Sequence, residues 1–461
     1  MSKNYILLGV LVFGFLIRFI YFLKTPDFDY THLGTKDPFF DYPLVVSTTG
    51  RDILPSESAY FKECYSPRDS QEYKLLALNL IKERKFSWNS EPVTFRTPVY
   101  PTFIATIYLL FGIKEWMVML FQVFLSTASI YLIYLISRNS VKWSAPLAEL
   151  SGILAGALFS VDFNSILFSS LFMCETLFIF LILLGTLLFL RGRHLSSGFV
   201  LGVSVLTRPI ALYIFLPLCF LCNGFKKALF FMGLFFLPIL PWMLRNFKVY
   251  GLPRLTSIDG WNLLFSNAAT LEAKESGSSI CVVRSKFAKE VCDSSNNPLL
   301  LAHRAQRIAV KRIMDSPFKY AWLHLKGGGE FFLATKSDNV VMRVCGFTWK
   351  QAQLYEVLRS DTRLSFRGVV LLLAGSEIFL VAMSIILGVI SFIRNPRFPN
   401  LVFFVLLVYF FILSGGPFTE ARFRFPLMPY FYLLSSTVIA SFIIKRHYER
   451  RYESNSGNAS L

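Results

Sequence analysis

The sequence is short of charge. Of 461 residues only 16% are Asp, Glu, Lys or Arg, while 54% are hydrophobic and the mean hydropathy is +0.51. A soluble domain carries about a quarter charged residues, so a water-surrounded enzyme is excluded and much of the apolar surface must face lipid. Histidine is scarce as well: the five residues are scattered, none at metal-ligand spacing, and no structural zinc is expected. Cysteine is sparse and odd in number, at seven. Cys281 and Cys292 share one polar loop, where a disulfide suited to an oxidising compartment can form. Cys219-x-x-Cys222 falls inside an apolar helix with no flanking βαβ pattern, so it reads as small apolar packing rather than redox chemistry. Acidic residues are outnumbered 29 to 47, giving a formal charge of +18. That excess does not read as nucleic-acid binding, because no basic run alternates with aromatics in a soluble module. It reads as membrane topology and affinity for anionic lipid. Internal repeats are lacking too, and the one broken helix has no inverted counterpart, which disfavours a transporter.

What is present is aromatic and apolar: 49 Phe and 20 Tyr, suited to a bilayer and its interfaces. Apolar runs fall at 5–23, 115–136, 145–161, 165–190, 227–248, 366–393, 400–415 and 426–444. Arg18 interrupts the first run close enough to its end to snorkel. No small-x-small cleavage site follows, and the exit Leu23-Lys24-Thr25-Pro26 marks a retained span rather than a signal peptide. Segment 198–223 is split by Arg208-Pro209 into halves that each fall short of the ~30 Å apolar core, so it is a broken helix or a tight hairpin. Short basic loops at 138–142, 191–194, 226–227 and 394–397, with the tail 445–451, read as cytoplasmic. Both termini then lie inside. Segments 24–114 and 249–365 lie outside, together with turns near 162, 208 and 420.

The expected fold is therefore an all-α polytopic membrane protein of about ten membrane segments, with extracytoplasmic juxtamembrane helices and a small extracytoplasmic loop region. It divides into an N-terminal membrane domain (1–248) that includes the first extracytoplasmic loop (24–114), an extracytoplasmic insert (249–365), and C-terminal membrane helices with a cytoplasmic tail (366–461). Residues 69–87 and 98–112 read as helices along the membrane face, with Tyr73, Leu76, Ala77 and Leu80 on one apolar stripe. A further amphipathic helix is expected near 299–325.

Polar groups converge on the outer face. Asp69 and Glu72, one helical turn apart, pair a general base with a partner that orients it, or cap the helix they begin. Arg96, fixed before Thr97-Pro98, suits a phosphate clamp because its planar fork donates two hydrogen bonds at once; the alternative is an interfacial anchor. Glu175 lies in an otherwise apolar run, where a charge costs about 2.5–3.5 kcal/mol, so it must face a cavity or a partner. Arg208 is its partner by depth. Asp162 sits at the same outer turn. Arg245-Asn246 and the pair Arg422, Arg424 face outward at helix ends. Interfacial anchoring explains either alone, and a bound anionic headgroup explains why outward basic residues recur against the inside bias. Tyr73 and Tyr100 stand beside these groups as further candidates.

The ordered set of motifs resembles the GT-C superfamily of membrane glycosyltransferases, in the branch akin to protein O-mannosyltransferases and aminoarabinose transferases. The resemblance rests on Asp69-x-x-Glu72-Tyr73-x-x-Leu76-Ala77-x-Asn79-Leu80 and Phe95-Arg96-Thr97-Pro98-x-Tyr100-Pro101 before Phe111-Gly112. It continues through Glu175-Thr176-Leu177, Leu206-Thr207-Arg208-Pro209, Pro241-Trp242-x-x-Arg245-Asn246 with Gly251, Gly260-Trp261-Asn262-Leu263, and Arg422-x-Arg424-x-Pro426-x-x-Pro429. Each motif is weak alone; together they cover nearly the whole chain in order.

The resemblance implies a polyprenyl-phosphate sugar donor used on the extracytoplasmic face, an extracytoplasmic acceptor (protein, lipid or glycan), and a place in protein glycosylation or cell-envelope biogenesis. It implies Asp69 as the base, Arg96 as the holder of the lipid phosphate, and Glu175 and Arg208 as cavity residues. The expected location is a bacterial inner membrane, with membrane lipids as the other partner. Two departures stand out: the stretch 27–68 is long and holds other acids (Asp27, Asp29, Asp37, Asp41, Asp52), and Asp162 replaces an aromatic or proline. No cofactor is expected; a divalent cation has no ligand motif to hold it. A flippase or transporter of lipid-linked sugars, and a non-catalytic polysaccharide-assembly protein, are the alternatives.

Overall fold

The computed structural model describes residues 3–24, 69–88, 91–139, 144–291, 297–337, 340, 344, 364–396 and 398–458. The acids expected between 27 and 52, and Cys292, lie outside these. The described chain is helical apart from a two-stranded antiparallel ribbon, β1 (Ser87–Trp88) and β2 (Glu91–Pro92). The helices α1 (Lys3–Lys24), α2 (Asp69–Lys82), α3 (Val99–Phe111), α4 (Glu115–Arg138) and α5 (Ala145–Ser160) come first. The chain continues through α6 (Phe163–Ser169), α7 (Glu175–Leu190), α8 (His194–Val205), α9 (Phe215–Phe220), α10 (Phe225–Phe236) and α11 (Ile239–Tyr250). Next come α12 (Ile258–Trp261), a π-helical stretch Asn262–Ala268, α13 (Ala269–Ser276), α14 (Ile280–Val291), α15 (Pro298–Asp315) and α16 (Pro317–Leu333). The last are α17 (Leu364–Arg394), α18 (Asn400–Ser414) and α19 (Met428–Asn458).

Among the described residues four helices are long and apolar enough to cross a membrane: Asn4–Lys24 in α1, all of α4, Gly368–Arg394 in α17, and Met428–Glu449 in α19. Two bent pairs, α5 with α6 at 61° and α10 with α11 at 45°, bring the number to six. The other expected segments correspond to shorter apolar helices of 10–17 residues, including α7, α8 and α18, and α3, expected along the membrane face, is a further short apolar helix. This is an all-α integral membrane protein. Helices α4 and α19 are central, with 56% and 61% of their apolar windows buried, while α1 and α17 at 22% lie at the periphery.

Three expectations are corrected. The run 165–190 is not one helix: Asp162 caps α6, accepting from the Ser165 amide at 2.8 Å, and α7 starts afresh at Glu175. The Ser- and Asn-rich stretch around the cap offers the backbone side-chain partners that compete with a continuous helix. The helix near 299–325 breaks at Ser316 because Pro317 starts α16. Arg18 does not snorkel. It is fully buried, donating to Ser126 Oγ (2.7 Å), Ser165 Oγ (2.6 Å) and the carbonyls of Gly14 (2.8 Å), Phe159 (3.1 Å) and Ser160 (3.2 Å). The end of α5 leaves carbonyls without helical partners, and a guanidinium fork satisfies them inside the bundle.

The expected break in 198–223 is present: α8 ends at Val205, and Pro209–Ala211 forms a single 3-10 turn before α9. Gly202 lets α8 meet α10 at backbone distance, since a Cβ there would lie 2.1 Å from the Phe235 carbonyl oxygen. A second apolar core joins the insert to the first loop, with Leu76, Val93 and Phe95 packed among Trp261, Leu264, Phe265, Phe287 and Leu301. This core is what seats the site described next.

Candidate functional site

Asp69 and Glu72 lie in the first turn of α2, where carboxylates suit the positive end of a helix. Tyr73, Leu76 and Ala77 continue the same face of α2 and are buried with Glu72, as the stripe requires. Arg96 approaches from the segment between the ribbon and α3. That segment is held at several points: Thr94 O accepts from Ser257 N (3.1 Å), Phe95 O from Thr256 Oγ1 (3.0 Å), and Leu206 O receives Val99 N (3.1 Å). Thr97 Oγ1 also donates to Thr207 O at 3.3 Å. These bonds bring Arg96 and Arg208 to the same end of the bundle.

Arg96 forks between the two carboxylates, donating through Nη2 to Asp69 Oδ1 and through Nε to Glu72 Oε2. Its guanidinium carbon lies 5.0 Å from the ring centroids of both Tyr73 and Phe95. Asp69 is also gripped from the far end of the chain, by Arg422 Nη1 at 3.3 Å, and Arg422 Nε reaches Glu420 at 3.2 Å. Glu175 pairs with Arg208 at 3.2 Å, which meets the expectation from depth. Tyr73 links the two halves: its hydroxyl donates to Cys174 Sγ at 3.3 Å, next to Glu175, and its ring packs edge-on against Tyr100.

Exposure separates the carboxylates. Glu175 and Glu72 side chains are 2% and 5% exposed, whereas Asp69 is 30% and Glu420 24%. Asp69 is thus the acid of α2 that an incoming molecule can touch. Burial alone would raise the Asp69 carboxyl, but the guanidiniums of Arg96 and Arg422 outweigh it and hold it at about 2. Glu72, deeper and beside the Asp69 charge, is pushed up by burial to about 7 despite Arg96. One turn of helix therefore presents a firmly ionised carboxylate and one that takes up a proton near neutrality.

Not every expected residue joins this cluster. Arg245 donates to the carbonyls of Val93 (2.8 Å) and Phe86 (3.0 Å) and to Asn246 Oδ1 (2.9 Å). Asn246 donates to Arg254 O (2.8 Å) and Leu255 O (3.1 Å). The pair ties α11 to the ribbon and supports the Arg96 segment from behind. Arg424 is 1% exposed, paired with Glu377 and donating to the carbonyls of Phe331 (3.2 Å), Phe332 (3.4 Å) and Ala334. Asp162 caps α6 and accepts from Tyr432 at 2.7 Å. Tyr100 is fully buried and donates to Gln122 Oε1 at 2.6 Å, so it supports Tyr73 rather than facing the cleft. Glu420 was not among the expected residues; its only sequence signal is a carboxylate two positions before Arg422 in an outer turn. Among the described residues no group of three or more His, Cys, Asp and Glu is placed to hold a metal ion.

No family model matches the sequence, and no curated protein matches it. Several solved structures align with nearly the whole chain at low identity. The oligosaccharyltransferase of Archaeoglobus fulgidus in complex with Zn and sulfate superposes with a TM-score of 0.44 at 14% identity, covering 98% of this chain and 51% of that one. AglB from the same organism, with an inhibitory peptide and a dolichol-phosphate, gives 0.44 at 13% identity, covering 98% and 52%. ArnT from Cupriavidus metallidurans bound to undecaprenyl phosphate gives 0.39 at 12% identity, covering 95% and 60%. The chain spans about half the length of the oligosaccharyltransferases it matches.

Proposed function

We propose that this chain is an integral-membrane glycosyltransferase that moves a sugar from a polyprenyl-phosphate donor to an extracytoplasmic acceptor. The observation that carries the reading is Asp69: a half-buried, accessible carboxylate held between Arg96 and Arg422 at the end of a bundle of membrane helices. The cluster sets Asp69, Glu72, Glu175 and Glu420 against Arg96, Arg208 and Arg422, so each guanidinium already has a carboxylate partner. A phosphate entering from the lipid competes with those carboxylates for the same forks. As Arg422 and Arg96 turn toward the phosphate, Asp69 loses the charges that suppress its basicity. In the reaction the acceptor's O–H or N–H oxygen or nitrogen attacks the anomeric carbon and its proton passes to Asp69. The bond from that carbon to the phosphate oxygen breaks, and the lipid phosphate leaves with the electron pair, its charge stabilised by the arginines. Single in-line displacement inverts the anomeric configuration. Glu72 accepts from Arg96 Nε and so holds the guanidinium fork beside Asp69.

Within this reading the chain keeps about ten membrane segments, with 1–248 and 366–461 as membrane parts and 249–365 as the insert. Its site is on the extracytoplasmic face of a bacterial inner membrane, and both termini are inside. The test is sugar transfer by the purified chain in lipid nanodiscs, from a panel of polyprenyl-phosphate sugars to crude envelope acceptors. Transfer from one donor is expected. A folded, lipid-binding protein that transfers from none would move the reading to a carrier of lipid-linked sugars.

A further inference from the structure

Within the insert, the helix α16 has two sides that differ sharply. On one side of α16, Leu323, Gly327, Gly328 and Phe331 are buried. A Cβ on Gly327 would lie 1.8 Å from the Gly416 carbonyl oxygen, and one on Gly328 would meet the Phe411 ring at 2.7 Å. His324 Nε2 is 2.9 Å from the Ile412 carbonyl oxygen. The helix is therefore seated across the end of α18 and the segment that follows it. The other side carries Phe318, Trp322, Leu325 and Leu333, at 90%, 66%, 57% and 62% exposure. Their spacing of four, three and eight places them along one stripe of a 3.6-residue helix.

We propose that this stripe lies in the headgroup–acyl boundary of the bilayer, making α16 a membrane-surface helix. Continuity argues for lipid as the occupant. The seat of α16 is the end of the apolar helix α18, where Ile412 and Leu413 are themselves exposed at 55% and 40%, so the stripe extends a surface already facing acyl chains. Composition argues the same way. Aromatic side chains with apolar bodies, flanked by the exposed side chains of Lys319 and Lys326, which also lie near Glu275 (3.5 Å) and Glu330 (3.8 Å), match the gradient from acyl chain to headgroup. The helix also carries Glu330 and three consecutive glycines, which suit a position along the surface better than a crossing. The inference does not depend on the catalytic reading, since a transporter would use the same surface.

The test compares the full chain with Trp322→Phe in nanodiscs made with phosphatidylcholine brominated near the headgroup end of its acyl chains. The emission lost in the variant is that of Trp322. It is expected to be strongly quenched by the brominated lipid and shielded from aqueous iodide. Quenching by iodide but not by the lipid would place the stripe in water and overturn the proposal. Shielding from both quenchers would overturn it too, by showing that protein covers the stripe. Retained monodispersity of the variant confirms that the comparison is between folded proteins.

Discussion

Asp69 and Glu72 share one guanidinium, yet their surroundings hold them at about 2 and about 7. That difference makes the identity of the base testable by pH. A base must be unprotonated, and kcat/KM reports its state in the free enzyme. If Asp69 is the base, kcat/KM has no acid limb down to about pH 4, because the group stays ionised throughout. If Glu72 were the base, kcat/KM would fall about tenfold per unit below neutrality. Initial-rate measurements between these limits, with Glu72→Gln as control, decide between them. Asp69, Glu72 and Glu175 were legible in the sequence because a charge beside apolar spans must answer for its cost, and Glu175 with Arg208 follows from depth alone; Glu420 was missed. The arginines were less separable. Arg96, Arg245, Arg422 and Arg424 all stand at helix ends, and only folding shows that Arg245 and Arg424 satisfy backbone carbonyls while the other two reach Asp69. The Arg424–Glu377 pair is buried, so Arg424→Met leaves the Glu377 carboxylate with only the Lys336 and Ser337 amides (2.9 and 2.8 Å) and no cation, at a cost of about 3–5 kcal/mol. The predicted sign is a large loss of thermal stability, partly restored when Glu377→Leu is added.

At the scale of elements, hydropathy located the apolar runs but not their breaks. Periodicity cannot show that 165–190 is interrupted, because the interruption depends on a side-chain cap from Asp162 and on a hydroxyl from Tyr432 far along the chain. The break at Arg208-Pro209 was readable, since proline acts locally, but the one before Pro317 was passed over within the expected helix 299–325. The contact of α16 with residues 415–420 was not readable, for glycine signals freedom without naming the backbone that approaches. It has a consequence for the site, because that segment leads directly to Glu420 and Arg422. Gly327→Ala must push the Gly416 carbonyl away, which overpacking precedents put at about 1–3 kcal/mol. The expected result is lower transfer activity with lipid association retained, measured on nanodisc-reconstituted variant and wild type. Unchanged activity would separate the seat of α16 from the site.

At the scale of the molecule, the two apolar cores explain the position of the cluster. The larger one holds the helices that meet lipid, and the smaller one clamps the first loop under the insert. Arg96 lies between Phe95 of the smaller core and Tyr73 of a third cluster built on α2 and α3, and Arg422 returns from the turn before the last helix to close the ring on Asp69. Low charge and long apolar runs made the membrane class legible from composition. The ring itself joins residues more than three hundred positions apart, which no local pattern encodes. The most direct measurement is single-turnover sugar transfer by Asp69→Asn in nanodiscs, with binding of the polyprenyl phosphate followed in parallel. The account predicts that transfer falls by at least about a hundredfold while the lipid phosphate still binds. Transfer at the wild-type rate would contradict it and place the base elsewhere.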